Sequence, residues 1–229
     1  MAEAKELPKT SQPSPQQFYE VFSEEVAKGN EVLCICLTSK LSGTYQSAVI
    51  AKEMLEEEKN LVHIIDSESV SAHLILLLKK ADQLILEGND LIQVAIQLEQ
   101  FRSKVNILAL LDTLENLKKG GRVSFAQAAI GGLLNIKPLI TLTDGLVETI
   151  EKFRGRKKGL SNLAEMLTSP KIKKDILFVV HSFQDEARLK EELDVMPLSD
   201  FKQIEFLKLG STIGTHAGAN TLGFVFESE

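Results

Sequence analysis

Apolar and polar residues follow two different spacing patterns in the first part of the chain. In some segments apolar residues return every three or four positions, a spacing typical of amphipathic helices. Two short runs are apolar at almost every position, as in strands buried on both faces. The predicted helices cover 15–28, 42–57, 70–87 and 90–103, and the predicted strands cover 31–37 and 62–65. Ser14 before Pro15 predicts the N-cap of the first helix.

Beyond about residue 105 the pattern changes to hairpins mixed with helices. Asp144-Gly145 lies between two apolar runs, which indicates a tight β-hairpin. Further strands are predicted over 105–111, 139–143, 146–153, 176–181, 206–210 and 224–226, and further helices over 114–119, 158–167 and 184–194. The pattern predicts an α/β protein of two domains: a Rossmann-like parallel-sheet domain over 1–105, followed by an α+β sandwich domain over 106–229.

Composition and charge exclude some classes of function. The 229 residues are 44% hydrophobic and 25% charged, as in ordinary folded domains, and carry a formal net charge of −6. An acidic chain argues against nucleic acid as a partner, because phosphate contacts need a basic surface. The polar start of the chain has no signal-peptide core, and no apolar run approaches the ~20 residues of a membrane-spanning helix. A cytoplasmic location is therefore expected.

The two cysteines, Cys34 and Cys36, lie two positions apart in a predicted strand, so their side chains point to the same face. Two cysteines this close rarely form a structural disulfide, and a metal site needs more ligands than one pair provides. The sequence predicts reduced thiols in the core, which fits a reducing compartment.

Two hydroxyl-rich loops precede helices, at 9–14 and at 39–48. The second follows a strand and opens a helix. Open α/β sheets bind ligands at such corners, where free N–H groups favour an anion. Ser42 in this loop is either a helix cap or a ligand contact, and the two roles are compatible. No G-x-S-x-G elbow surrounds Ser42, which makes it a poor nucleophile.

Three later stretches carry cationic or imidazole groups. In 112–124, paired glycines precede Arg122, whose guanidinium suits a carboxylate or a phosphate, although a solvated surface arginine is the competing interpretation. In 134–138, Lys137 is either a surface charge or a partner contact. In 214–221, His216 lies among glycines and hydroxyls, away from any helix-like pattern. No metal-ligand spacing and no phosphate-binding Walker loop occurs in the sequence.

Taken in series, these stretches resemble the DegV family of bacterial lipid-binding proteins. The matching segments are T-S-Q-P-S at 10–14, L-S-G-T-Y-Q-S-A at 41–48, D-T-L-E-N-L-K-K-G-G-R at 112–122, L-N-I-K-P at 134–138 and G-T-H-A-G at 214–218. The resemblance implies two α/β domains and a buried long-chain fatty acid. It implies a carrier without a catalytic centre, cofactor or metal. The carrier presents its fatty acid to a separate ATP-dependent fatty-acid kinase, and the acyl phosphate serves phospholipid synthesis.

Site residues carry over one by one. The resemblance implies that Thr10 and Ser42 hold the fatty-acid carboxylate, both within hydrogen-bonding distance of one head group. Further polar residues are expected in the pocket or facing the kinase: Ser11, Gly43, Thr44, Arg122 and His216. Transient contact with a membrane surface is compatible with this role, although the acidic chain is poorly suited to anionic membranes in general.

The sequence departs from the family pattern in four places. The family opens with a D-S-T-containing strand upstream of T-S-Q-P-S, and that segment is missing here. Without it we expect an exposed apolar sheet edge, or self-association that completes the sheet with a second copy. Lys40 replaces a glycine, and Ala219-Asn220 replaces Pro-Gly. Ala72-His73-Leu74 replaces smaller residues, which is expected to narrow or reshape the pocket.

Three other functions stay open at the level of the sequence. One is a carrier of another lipid or anion. A second is an acyl hydrolase with Ser42 as nucleophile and His216 as base. The third is a truncated product without lipid-binding activity. Acyl-chain length and saturation have no signature in the sequence.

Overall fold

The structure, a computed structural model, describes residues 7–123 and 135–229. It divides the chain into two compact units. The N-terminal unit is Ser11–Ser103, and the C-terminal unit is Lys104–Glu229 together with the segment that ends at Thr10. The sequence division placed Leu7–Thr10 in the N-terminal domain, whereas the structure groups these residues with the C-terminal unit. The reason is visible at the candidate site, where Thr10 bonds to a residue near the end of the chain.

Helices pack on both faces of a parallel sheet in the N-terminal unit. Its elements are α1 (Pro15–Ala27), β1 (Val32–Cys36), α2 (Thr44–Glu53), a 3₁₀ helix (Glu56–Leu61), β2 (Val62–Asp66), α3 (Ala72–Leu86) and α4 (Leu91–Arg102). Cys36 packs with residues of α1 and α2 on one face, and Leu33 and Ile35 pack with residues of α3 and α4 on the other. This arrangement confirms the predicted α/β fold of the unit.

The start and the end of α1 follow the sequence rules. The Ser14 hydroxyl accepts the backbone N–H of Gln17 at 3.3 Å, and the Gln17 side-chain oxygen accepts the N–H of Ser14 at 2.9 Å. This reciprocal pair is a capping box and confirms Ser14 as the N-cap. The predicted helix over 42–57 is shorter than expected, because α2 ends at Glu53 and Glu56 adopts a left-handed backbone conformation (φ 53°).

A six-stranded mixed sheet forms the centre of the C-terminal unit. Its elements are β3 (Val105–Leu110), α5 (Glu115–Lys119), β4 (Ile136–Thr143), β5 (Leu146–Arg154), α6 (Arg156–Leu167), β6 (Ile172–His181), α7 (Glu186–Leu193), a 3₁₀ helix (Leu198–Asp200), β7 (Gln203–Lys208), α8 (Ser211–Ala217) and β8 (Leu222–Ser228). The strand order is β5-β4-β3-β8-β6-β7, and only the β6–β7 pair is parallel. Helices α6 and α7 contribute Leu163, Leu167 and Leu189 to the core beneath this sheet.

Two local predictions in the C-terminal unit have different outcomes. The hairpin at Asp144-Gly145 is confirmed, and both residues have the positive φ values, 49° and 79°, that a tight hairpin turn requires. The strand expected over 206–210 lies earlier, as β7, and the sequence interpretation missed α8 altogether. His216 therefore lies in the last turn of a short helix and not in an irregular loop.

Candidate functional site

A cavity of about 610 Å³ lies within the C-terminal unit. It is lined by the segment Leu7–Thr10, by Asn116, Lys119, Gly120 and Arg122 of α5 and the turn after it, and by Thr215 and His216 of α8. Lys9, Lys119 and Arg122 give this lining three positive charges, and none of the lining residues that the structure describes is acidic. The electrostatics of the cavity therefore favour an anion, even though the whole chain is acidic.

A side-chain hydrogen bond joins two lining residues of the cavity, Thr10 and His216. Thr10 Oγ1 lies 2.8 Å from His216 Nε2, across a sequence separation of 206 residues. When Nε2 carries the proton, the imidazole donates to Thr10, and the threonine hydroxyl proton is then available to a ligand in the cavity. His216 can thus aim the Thr10 hydroxyl as a donor, which is the group that a carboxylate or phosphate oxygen needs.

The position of the His216 ring accounts for the glycine at position 120, one of the paired glycines. Nδ1 is buried and has no hydrogen-bond partner among the described residues. A Cβ atom on Gly120 would lie 2.3 Å from Nδ1 and 2.8 Å from Cε1, so only glycine leaves room for the imidazole. Burial and the nearby Arg122 guanidinium lower the pKa of His216, so the ring is neutral near pH 7.

Arg122 is held by the turn in which it lies. Its guanidinium donates to the Gly120 carbonyl at 2.6 Å, and its backbone N–H donates to the Leu117 carbonyl at 2.8 Å. Gly121 makes this turn possible with a φ of +70°. The arginine is half-buried in the cavity lining, in contrast to the competing interpretation of a solvated surface residue.

The second hydroxyl-rich loop lies in the N-terminal unit, before α2. Ser42 Oγ lies 2.8 Å from Thr44 Oγ1 and accepts the backbone N–H of Thr44 at 3.3 Å. Gly43 occupies the N-cap position itself, so Ser42 supports the helix start from one position further upstream. The Ser42 hydroxyl is half-buried, and its loop follows β1 directly, as the sequence predicts for a ligand corner.

The first hydroxyl-rich loop packs against this corner through Gln12. The Gln12 side-chain nitrogen donates to Ser47 Oγ at 3.0 Å. A Cβ atom on Gly43 would lie 1.8 Å from the side-chain oxygen of Gln12. A side chain at position 43 would displace the Gln12 amide from this position. Ser11, expected as a pocket residue, is exposed, so the structure gives it no part in the described cavity.

A largely buried ion-pair network lies at the end of β3, and sequence reasoning missed it. Asp112 accepts from Lys137 at 2.9 Å, from Arg156 at 3.3 Å and from Asn220 at 2.9 Å, and Arg156 also pairs with the buried Glu192 at 2.7 Å. This corrects the interpretation of Lys137 as a surface charge or a partner contact. The sequence signal for this network was Asp112, a carboxylate that follows a buried strand. The ends of two sequence stretches, Ser124 and Leu134, lie outside the described residues.

The pKa of Asp112 reflects these partners. Burial alone raises it, but the bonds from Lys137 and Asn220 and the positive charge of Arg156 outweigh burial and lower the pKa below its ordinary value. The carboxylate therefore stays charged and holds the end of β3 to β4 and to the turn after α8. Close by, the Asn116 side chain donates to the Thr215 carbonyl at 3.1 Å and fixes α5 against α8.

Comparison with known proteins accounts for the whole sequence. The family model for DegV matches residues 1–229. The chain belongs to the DegV family. A DegV domain-containing protein of Caldanaerobacter subterraneus subsp. tengcongensis is 34% identical over 227 residues, which cover 97% of this chain and 80% of that protein.

Solved DegV structures share the fold. The DegV lipid-binding protein of Thermotoga maritima is 29% identical with a TM-score of 0.84, covering 99% of this chain and 79% of that one. A fatty-acid-binding DegV family protein of Thermus thermophilus is 33% identical, also with a TM-score of 0.84, covering 97% of this chain and 79% of that one. These likenesses confirm the two-part α/β architecture.

Two departures from the DegV pattern have a structural counterpart. Asn220 adopts a positive φ of 55° and uses its side chain to bind Asp112. His73 is 4% exposed at the start of α3, and its Nε2 has no hydrogen-bond partner among the described residues. Burial and the charge of Arg102 lower the pKa of His73 to about 4, so the ring is neutral. That His73 narrows the acyl pocket stays a prediction.

Within residues 7–123 and 135–229, no group of three or more His, Cys, Asp or Glu side chains is arranged to hold a metal ion. In the same part of the chain, no helix has the length and apolar character needed to cross a membrane.

Proposed function

We propose that this DegV protein binds a long-chain fatty acid and presents its carboxylate to a separate ATP-dependent fatty-acid kinase. The observation that carries the proposal is the cavity of the C-terminal unit, in which the bonded pair Thr10 and His216 faces a basic lining. The solved relatives from Thermotoga maritima and Thermus thermophilus, which bind lipid and fatty acid, support a lipid as the anion.

The polar groups orient the ligand, and its chain supplies most of the affinity. Each buried methylene contributes about 0.8 kcal/mol, so a long acyl chain is worth far more than one hydrogen bond. A carboxylate leaves water only where several donors replace its hydration. The proposed donors are the Thr10 hydroxyl, aimed by His216, and the Ser42 hydroxyl, with Arg122 as the nearby positive charge.

The kinase supplies the chemistry. In the proposed reaction, a carboxylate oxygen attacks the terminal phosphoryl group of ATP on the partner and yields an acyl phosphate and ADP. Residues of this chain bind and orient the carboxylate and balance negative charge, so the chain is a binding subunit and not a catalyst. The acyl phosphate is proposed to enter phospholipid synthesis. The proposed location is the cytoplasm, where free thiols such as Cys34 and Cys36 stay reduced.

Nothing in the geometry favours the alternative of an acyl hydrolase. The Nε2 atom of His216 is bonded to Thr10, and Ser42 Oγ is bonded to Thr44, the first residue of α2. Ser42 therefore has no described base that activates it.

Native mass spectrometry of the purified protein tests the proposal. The expected result is a bound species with the mass of a long-chain fatty acid and one ligand per chain. The double variant Thr10→Val with Ser42→Ala should lose most of this ligand, and Thr10→Ser should retain it. Ser39→Ala, an exposed hydroxyl of the same loop as Ser42, serves as the matched control. A different bound lipid or anion, turnover of an ester substrate, or full retention in the double variant would overturn the proposal.

A further inference from the structure

The two cysteines of the chain form a close pair on β1. Cys34 Sγ and Cys36 Sγ are 3.7 Å apart on the face of the sheet that packs against α1 and α2. Cys36 is 4% exposed, whereas Cys34 is partly buried. No step of the proposed fatty-acid binding uses these thiols.

The pair divides into an attacking and a resolving thiol. A hydrogen bond from the Cys36 thiol stabilises the Cys34 thiolate and lowers the pKa of Cys34, although burial opposes this. The same bond, with burial and the charge of Asp66, raises the pKa of Cys36. Cys34 is therefore the better nucleophile of the pair, and a lowered thiol pKa is typical of cysteines that react with oxidants.

We propose that Cys34 and Cys36 are a redox-active dithiol, which a hydroperoxide converts to an intrastrand disulfide, and that this oxidation displaces the loop carrying Ser42. In the first step, the Cys34 thiolate attacks the peroxide oxygen and the O–O bond breaks; the departing alkoxide or hydroxide takes up the proton that the Cys34 thiol released, so that Cys34 sulfenic acid and an alcohol or water are formed. In the second step, Cys36 sulfur attacks the Cys34 sulfur, and the departing hydroxide takes the Cys36 proton as water. Two thiols are oxidised and one peroxide is reduced.

Oxidation must change the end of β1. A disulfide needs Cβ atoms roughly 3.5–4.5 Å apart, whereas residues two apart on the same face of an extended strand have Cβ atoms about as far apart as their Cα atoms, about 6.6 Å. Drawing the sulfurs from 3.7 Å to bonding distance therefore requires β1 to bend between Cys34 and Cys36.

Hydrogen bonds connect the end of β1 and the loop before α2 to β2 and the residues after it, so a bend in β1 is expected to displace that loop. The Cys36 carbonyl accepts from the Ser67 N–H at 3.0 Å, and the Thr38 N–H donates to the Ser69 carbonyl at 2.9 Å. Ser39 then donates its N–H to the Asp66 carboxylate at 3.2 Å. These bonds fix the start of the loop that carries Ser42 to the end of β2. That the loop holds the fatty-acid carboxylate rests on the function proposed above.

Intact-mass measurement after treatment of the folded, full-length chain with hydrogen peroxide tests the dithiol itself. The chain has only two cysteines, so the loss of two hydrogen atoms from a monomer identifies this bond. The expected result is that loss, reversed by dithiothreitol. It should be absent from Cys34→Ala, from Cys36→Ala and from the double variant, which also records background methionine oxidation. Oxygen adducts on cysteine, a disulfide-linked dimer or unreacted thiols would overturn the proposal.

Hydrogen–deuterium exchange tests the link to the loop without relying on lipid. Exchange over residues 37–44 should rise at least severalfold in the oxidised wild type and stay unchanged in the peroxide-treated double variant. Fatty-acid occupancy, measured on the same samples, should fall on oxidation and recover with dithiothreitol. If the reduced protein holds no fatty acid, the proposed function fails, while the mass and exchange results still judge the dithiol. Unchanged exchange in a fully oxidised sample would overturn the coupling.

Discussion

At the scale of single residues, Gly120 and His216 show what the sequence could and could not reveal. Paired glycines before an arginine were visible, and they correctly indicated a tight turn. The reason for Gly120 was not visible, because its φ is an ordinary −77° and its constraint comes from an imidazole 96 positions away in the sequence. A steric requirement of this kind belongs to the folded chain and leaves no local signature.

The Gly120→Ala variant tests this contact. A Cβ atom 2.3 Å from Nδ1 must push the His216 ring away, and the bond from His216 to Thr10 should then be lost. We expect fatty-acid binding to weaken by roughly tenfold, equivalent to about 1.4 kcal/mol, with the fold retained. Titration calorimetry measures the change. Gly210→Ala, which has open space and an ordinary φ, is the matched control, and equal affinity in both variants would contradict the assignment.

Asp112 gives a prediction with a defined pH dependence. Its pKa in the folded protein lies below the ordinary 3.8, so the folded state favours the charged form. The stabilisation is complete above 3.8 and is lost as the pH falls through the lower, folded-state pKa. We expect Asp112→Asn to lower the free energy of unfolding by about 1–3 kcal/mol near pH 7, because Lys137 and Arg156 lose a partner.

Urea denaturation at several pH values measures the Asp112 effect. The difference between wild type and Asp112→Asn should begin to shrink below pH 3.8 and disappear once the pH falls below the lower, folded-state pKa, where Asp112 of the folded wild type also becomes neutral. Asp175→Asn is the control, since Asp175 and its partner Lys202 are both largely exposed and that pair should contribute little. A difference that stays constant down to the acid end would contradict the proposed role of the charge.

Among the helices and strands, apolar periodicity was sufficient to predict the long elements and insufficient to predict the short ones. Helices α1, α3 and α4 and the hairpin of β4 and β5 were predicted because each carries a repeated apolar pattern or a specific turn. Helix α8 has seven residues, including Gly214 and two threonines, so neither helix propensity nor an apolar face marked it. Its position follows from bonds to distant residues, such as Asn116 with the Thr215 carbonyl.

The N-terminal sheet gives a prediction about self-association. Among the described residues this sheet has two strands, so β1 and β2 each pair on one side only. Apolar strands with an open side invite pairing with another chain. We expect this chain on its own to form dimers or larger species as its concentration rises, as measured by sedimentation equilibrium. A monomer at every concentration that also melts in one cooperative transition would contradict this expectation.

At the scale of the whole molecule, the candidate site is assembled from three distant stretches. The sequence supplied the residues Thr10, Arg122 and His216 through their resemblance to DegV motifs, but it could not supply their bonds. Thr10 and His216 are 206 positions apart, and Arg156 reaches Asp112 and Glu192 across 44 and 36 positions. Local patterns carry no information about such pairs, so the ion-pair network at the end of β3 was missed.

The Arg122→Ala variant distinguishes binding of the fatty acid from its presentation to the kinase. We expect Arg122→Ala to keep the bound fatty acid, since the acyl chain supplies most of the affinity, and to lower acyl-phosphate formation at least tenfold in an assay with an added fatty-acid kinase and ATP. Lys118→Ala, an exposed neighbour outside the cavity lining, is the control. Normal acyl-phosphate formation by Arg122→Ala would reduce Arg122 to a structural residue of the turn.

In the proposed site a fatty-acid carboxylate lies at the Thr10 hydroxyl, which His216 orients. Carbon-13 NMR of the protein loaded with carboxyl-labelled fatty acid measures this contact directly, because the carboxyl signal reports its hydrogen-bond donors. We expect a distinct bound signal that shifts in both Thr10→Val and His216→Gln and stays in place in Ser39→Ala. A bound signal that none of these substitutions moves would contradict this expectation.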